Sequence, residues 1–216
     1  GKEKADVFYR YFGVTQEGNF EGRSILSIPG DHSELAQELG ISDEELSDVL
    51  EETRNKLLAR RQCRVPPARD EKVVTAWNGL ALRTLAEAAS VLGRQDYLLA
   101  AASNASFLLA NLKDGNGRLL RTYKDGQARL KGYLEDYAFV IDGLLALHEA
   151  TLDLNWLREA RTLADAMLDL FWDEGEQAFY DTGRDHEELI LRPRDVFDNA
   201  TPCGGSVAAD VLQRLA

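Results

Sequence analysis

The chain has 216 residues, 25 Lys plus Arg against 37 Asp plus Glu, and a formal net charge of −12. With 44% hydrophobic residues it has the make-up of a folded protein, which excludes wholesale disorder. The acidic balance argues against a nucleic-acid partner, and no apolar run approaches the roughly 20 residues that cross a bilayer, so no membrane is expected.

Two cysteines, Cys63 and Cys203, make neither a disulfide framework nor a zinc site. They fit a reducing, cytoplasmic setting. Three histidines without paired spacing give no metal site, and no Gly-rich phosphate loop is present, so no cofactor is expected. The sequence opens Gly1-Lys2-Glu3 and closes inside an apparent helix at Ala216. It is expected to be a piece of a longer protein.

In chain order, residues 7–30 are mixed, with Ile25-Leu26-Ser27-Ile28-Pro29 predicted as one short strand. Ser33 is expected to cap a helix ending at Leu39, with Gly40 as its stop. Ser42-Asp43-Glu44-Glu45 is a capping-box pattern, and its helix should run to about Arg61. Residues 31–52 hold nine acids and no Lys or Arg; residues 53–72 hold seven basic residues against two acids. That polarity complements the helix dipole, with a partner-binding face as the alternative. Pro66-Pro67 ends this part. Helices are then predicted over 77–92, stopped by Gly93, and over 95–112. Asp114-Gly115-Asn116-Gly117 is a turn, and 119–123 is a short strand. Helices at about 135–152 and 156–171 follow, then a turn at 173–175 and strand-like Phe179-Tyr180.

These elements repeat. Leu85-Ala86-Glu87-Ala88 returns as Leu147-His148-Glu149-Ala150, and Asp114 to Thr122 parallels Asp173 to Thr182. The unit of helix, helix, turn and short strand takes about 60 residues, too long for the common ~34-residue helical repeats. Units of this size must stack to bury a core, and helical hairpins with strand-bearing connections suit an α/α toroid. The predicted class is all-α with short hairpin strands in the connections. The whole of 1–216 reads as a partial toroid: 1–65 a lead-in with the first helices, 66–132 the first clear hairpin, 133–192 the second, and 193–216 the start of a third.

The starts of the inner helices carry Trp77-Asn78-Gly79, Glu135-Asp136-Tyr137 and Asp198-Asn199 with Cys203-Gly204-Gly205-Ser206; Arg69-Asp70-Glu71-Lys72 precedes the first. An aromatic ring with an acid or amide thus comes at each step. Rings cover the apolar faces of a sugar, and Asp, Asn, Glu and Arg bond its hydroxyls. Each residue also has a plainer role. Asp136 and Glu135 can cap a helix, Asn78-Gly79 can relieve a tight entry, Trp77 and Tyr137 can be core, and Asp70 with Lys72 can be a surface ion pair. His148, His32, His186, Cys203, Tyr97 and Trp156 are expected to be structural.

Several motifs together resemble a known family: Asp70-Glu71-Lys72 with Trp77-Asn78-Gly79, Glu135-Asp136-Tyr137-Ala138, Phe171-Trp172-Asp173 with Phe179-Tyr180-Asp181-Thr182, Arg192-Pro193-Arg194-Asp195 with Asp198-Asn199-Ala200-Thr201-Pro202, and Gly18-Asn19-Phe20-Glu21-Gly22. They are similar to the thioredoxin-domain-containing proteins of the spermatogenesis-associated protein 20 type. The resemblance implies an upstream thioredoxin-like domain and an (α/α)6 toroid like those of six-hairpin glycosidases and acylglucosamine 2-epimerases. About half of that toroid would be present here. Glu71 stands for an Asp of that pattern, and Pro202-Cys203-Gly204-Gly205-Ser206 for Pro-Ser-Gly-Asn-Ser.

The function expected is carbohydrate-related, with hydrolase- or epimerase-type acid–base chemistry. Asp70 and Asp136 would be the catalytic pair with Glu135 in reserve, and Arg69 and Lys72 would orient them. Trp77, Asn78, Tyr137, Asp198 and Asn199 would hold substrate. The alternative is a non-catalytic helical scaffold or ligand-binding module beside the thioredoxin-like domain. Expected partners are a sugar-like small molecule, the rest of the same protein and, through open inner-helix faces, a second copy. Three carboxylates facing one cavity would favour the enzyme; Asp70, Asp136 and Asp198 spent on caps and ion pairs would favour the scaffold.

Overall fold

The computed structural model describes residues 1–187 and 190–216. The chain divides into two compact units, Gly1–Arg69 and Asp70–Ala216.

The first unit has three helices: α1 (Lys2–Tyr11), α2 (His32–Leu39) and α3 (Asp43–Gln62). Ala36, Leu46 and Leu50 form its small core, with Val7, Tyr11 and Phe12 packed against it. Asp31, rather than Ser33, caps α2, its carboxylate accepting the N–H groups of Ser33 and Glu34. The capping box at Ser42 and Glu45 forms as its pattern requires. Helix α1 begins ahead of the segment 7–30 read as mixed and overlaps its start, where Val7, Phe8 and Tyr11 carry a helical spacing. The strand predicted at Ile25–Pro29 does not form. Asn19 clamps Ile25 instead: its Oδ1 accepts the Ile25 N–H at 2.7 Å and its Nδ2 donates to the Ile25 carbonyl at 2.9 Å. A backbone satisfied by a side chain has no need of a partner strand.

The second unit is built of hairpins. Strand β1 (Val73–Val74) leads into α4 (Thr75–Leu92), which Gly93 ends in a left-handed conformation, φ +64°. Helix α5 (Gln95–Asn111) returns. Strands β2 (Leu120–Lys124) and β3 (Gln127–Lys131) pair antiparallel, and β1 adds to the far edge of β2. Helices α6 (Leu134–Thr151) and α7 (Leu154–Phe171) form the second hairpin, followed by the short pair β4 (Trp172–Asp173) and β5 (Ala178–Phe179). Helix α8 (Gly204–Leu215) closes the chain. Strand β3 had no counterpart in the sequence reading; its alternating pattern is weak because most of its residues are exposed.

Helix α6 is buried on every side from Asp136 to Leu147, mostly by apolar residues, as a helix surrounded by others must be. Helix α7 shows one apolar stripe: Ala160, Leu163, Ala164, Met167 and Phe171. Helices α4 and α6 run parallel in close contact. A Cβ on Gly79 would lie 2.6 Å from the Phe139 carbonyl carbon, and one on Gly143 would lie 2.8 Å from Leu82. Gly79 therefore serves helix packing rather than an easy helix entry. Asp142, buried in α6, joins all three parallel helices: it accepts from Arg83 of α4 and Arg214 of α8, both at 2.6 Å.

Candidate functional site

The N-termini of α4, α6 and α8 come together. A Cβ on Gly204 would lie 3.2 Å from the Glu135 backbone nitrogen, so α8 starts against the first turn of α6. Asp136 ties α6 to α4. Its Oδ1 accepts the Ala76 N–H at 2.9 Å, and its Oδ2 accepts the Tyr133 N–H at 2.8 Å and Arg121 at 3.1 Å. One carboxylate thus satisfies free N–H groups at two helix starts. It is fully buried, and burial pushes its pKa up to about 6 despite the nearby Arg121 guanidinium.

Glu135, one residue earlier, faces outward and bonds the same Arg121 at 2.9 Å. It lines a cleft of about 210 Å³ together with Tyr133, Asp181, Asp195, Phe197 and Asn199, closed by Thr201 to Gly204. Three carboxylates therefore converge there. Asp181 is half-buried between irregular segments. Its backbone carbonyl accepts the Leu134 N–H, and its Oδ2 accepts the Asp195 N–H at 2.8 Å. Burial raises its pKa, and the charges of Asp195 and Glu135 push the same way against that hydrogen bond. Phe197 is 76% exposed, an apolar ring at the rim of a polar cleft.

Of the residues singled out from the sequence, Glu135 and Asn199 line this cleft, with Asp136 sealed beneath Glu135. Asp70 is solvent-exposed and paired with Lys72 at 3.1 Å, which holds its carboxyl below the usual range. Arg69 is exposed at the end of the first unit. Trp77 is 66% exposed on the first turn of α4, and Asn78 donates to the Val74 carbonyl. Tyr137 is wholly buried, and its hydroxyl accepts from Arg118 and from the Leu119 N–H, both at 2.9 Å. Asp198 accepts the Cys203 N–H at the start of α8. Asp70, Asp136 and Asp198 do not share one cavity.

Several residues were missed, Tyr133 among them. Asp181, Asp195 and Phe197 lie in irregular stretches, outside the repeat positions that directed attention to helix starts. Their signal was their place in the motifs 179–182 and 192–202. Arg121 sits on a strand that looked merely connective. Cys203 lines the cleft, with its thiol donating to the Asp195 carbonyl at 3.1 Å.

No protein-family model matches the chain. Human spermatogenesis-associated protein 20 is 33% identical over 229 residues, covering 97% of this chain and 29% of that protein. A Caenorhabditis elegans protein is 28% identical, covering 97% of this chain and 31% of its own length. The chain is thus homologous to spermatogenesis-associated protein 20 over nearly all its residues and spans about three-tenths of the length of these relatives. Among solved structures, cellobiose 2-epimerase from Spirochaeta thermophila matches with a TM-score of 0.55 at 22% identity, covering 67% of this chain and 39% of that one. A sugar epimerase from a ruminal bacterium gives 0.51 at 17% identity, covering 86% and 51%. The likeness is one of fold: helical hairpins with short connecting strands, as in an α/α toroid.

Proposed function

We propose that the cleft between the starts of α6 and α8 holds a sugar-like, polyhydroxylated molecule and can move protons on it. The observation that carries this reading is the convergence of Glu135, Asp181 and Asp195 in one cleft beneath the exposed Phe197 ring. The ring would cover an apolar sugar face, and the carboxylates and Asn199 would accept or donate to hydroxyls. Asp181, whose environment favours its protonated form, would act as the acid. Glu135, held by Arg121, would be the carboxylate opposite it. Such a pair suits the acid–base steps that glycoside hydrolysis and sugar epimerisation share. The sugar-epimerase fold of the neighbouring structures adds to the reading by analogy.

A second reading, a non-catalytic scaffold beside a thioredoxin-like domain, has its own support. Asp136 and Asp198 accept backbone N–H groups at helix starts, and Asp70 pairs with Lys72. The test is a thermal-shift screen of the purified full-length protein with glucose, mannose and N-acetylglucosamine. Ligand at a hundredfold excess over its Kd stabilises by about 2.7 kcal/mol, a shift of a few degrees. The proposal expects such a shift, lost in Glu135→Gln and in Asp195→Asn. No shift with any of the three, in folded protein, favours the scaffold.

A further inference from the structure

The cleft has a neighbour. About 290 Å³ of space lies beside it, lined by Tyr133, Asp181, Thr182, His186, Glu187 and Pro193. Tyr133 and Asp181 belong to both cavities, so the two adjoin along those residues. The chain route explains the arrangement. The Asp181 N–H donates to the Pro193 carbonyl, and the Asp195 N–H donates to the Asp181 carboxylate. These bonds hold Asp181 against residues 193–195. Residues 182, 186, 187 and 193 wall the second cavity, and Glu135 with residues from 195 onward wall the first.

The shared wall is braced by ring contacts. The Tyr133 ring stacks on His186 at 5.3 Å and 15°, and the Arg121 guanidinium lies 4.5 Å from its centroid. His186 is oriented as well. Its Nδ1 accepts the Gly183 N–H at 2.9 Å, so the neutral ring carries its proton on Nε2. That Nε2 is buried and has no partner among the described residues. A buried donor without an acceptor is costly, and a ligand hydroxyl or ring oxygen is an acceptor of the right kind. Among the described residues no Lys or Arg lines either cavity, whereas Glu135, Asp181, Glu187 and Asp195 do. Arg121 offsets the charge of Glu135, and Arg192 reaches the Thr182 carbonyl, but the lining carboxylates outnumber these two cations, so a phosphate or carboxylate on the ligand would meet net repulsion.

We infer that the two cavities are adjoining subsites of one site, and that it takes an uncharged sugar of at least two rings that passes across Tyr133 and Asp181. The inference rests on the sugar reading above and specifies its substrate class.

The experiment is titration calorimetry on the purified full-length protein. The ligands are glucose and mannose, the disaccharides cellobiose, maltose and mannobiose, and glucose 6-phosphate. The best disaccharide should bind at least tenfold tighter than the better monosaccharide, and glucose 6-phosphate should bind more weakly than glucose. In His186→Ala the disaccharide-to-monosaccharide ratio should fall to near one. Thr182→Val, which removes a hydroxyl from the second cavity at nearly constant volume, should lower the ratio without disturbing the fold. Monosaccharide binding with no disaccharide gain, a gain that persists in both variants, or tighter binding of the phosphate would overturn this inference and leave the sugar reading standing. Absence of binding by every neutral sugar would remove both.

Discussion

Glu135 and Asp136 are adjacent in sequence and have opposite fates. Successive residues of a helix point about 100° apart, so on the first turn of α6 one carboxylate faces the cleft and the next faces the core. A carboxylate that caps one helix can be exchanged for Asn with little effect. Asp136 caps two, and both of its oxygens accept N–H groups. Asn offers one acceptor, and its amide group would face a donor. Near pH 4.5, however, the buried carboxyl is itself protonated and places a hydroxyl where Asn places its amide group, so there Asp136→Asn should cost less than about 1 kcal/mol in urea unfolding. The pH dependence has a definite sign. The folded pKa of about 6 lies above the ordinary 3.8, so between these values the folded chain holds a proton that the unfolded chain releases. This group's contribution to stability is complete below pH 4 and is lost as the pH rises through 6. The balance should accordingly move toward Asn between pH 4.5 and pH 7.5, by up to roughly 3 kcal/mol for two pKa units, so that Asp136→Asn becomes the more stable form at pH 7.5. A pH-independent difference would show that Asp136 is ionised throughout that range in the folded protein.

At the scale of elements, the parallel helices are locked by absence of bulk as much as by bonds. Gly79 and Gly143 let α4 and α6 approach until backbone meets backbone. The buried Asp142 carboxylate between Arg83 and Arg214 then fixes their register with α8. A methyl at Gly79 has no flexible neighbour to displace, since its nearest atoms are backbone. Gly79→Ala should cost about 3 kcal/mol, the upper part of the range for overpacked cores. Gly93→Ala meets open space and strains only its own left-handed backbone, so it should cost about 1 kcal/mol. Equal costs by thermal unfolding would mean that the α4–α6 contact relaxes freely. Much at this scale was legible in the sequence. The 3.6-residue pattern placed seven of the helices; the Ser42–Glu45 box and Gly93 marked a start and a stop. The 60-residue offset anticipated that Ala76 and Asp136 sit at corresponding points. Helix α1 was overlooked because its short apolar pattern abuts a Gly-rich stretch, and β3 because an exposed strand carries little alternation.

For the whole molecule, each unit encloses its own core. Residues 54–72 are exposed throughout and include Pro66-Pro67. Limited trypsin digestion should cut first within residues 64–72 and leave a resistant fragment that begins there, identified by mass spectrometry; a first cut inside α4 to α7 would contradict this division. No helix among the described residues is long and apolar enough to cross a membrane.

The amino-acid sequence alone indicated the helices other than α1 and the all-α class with short connecting strands. Those features follow from local periodicity, capping and repetition, which a linear chain displays directly. Tertiary structure decided which carboxylates are sealed and which are open. Asp136 is spent on two helix starts and Asp70 on Lys72, while Asp181 and Asp195 arrive from irregular segments more than 40 residues beyond Glu135 to complete the cleft. Solvent access depends on what packs over a residue, and for these side chains that covering comes from distant parts of the chain whose positions no local pattern encodes.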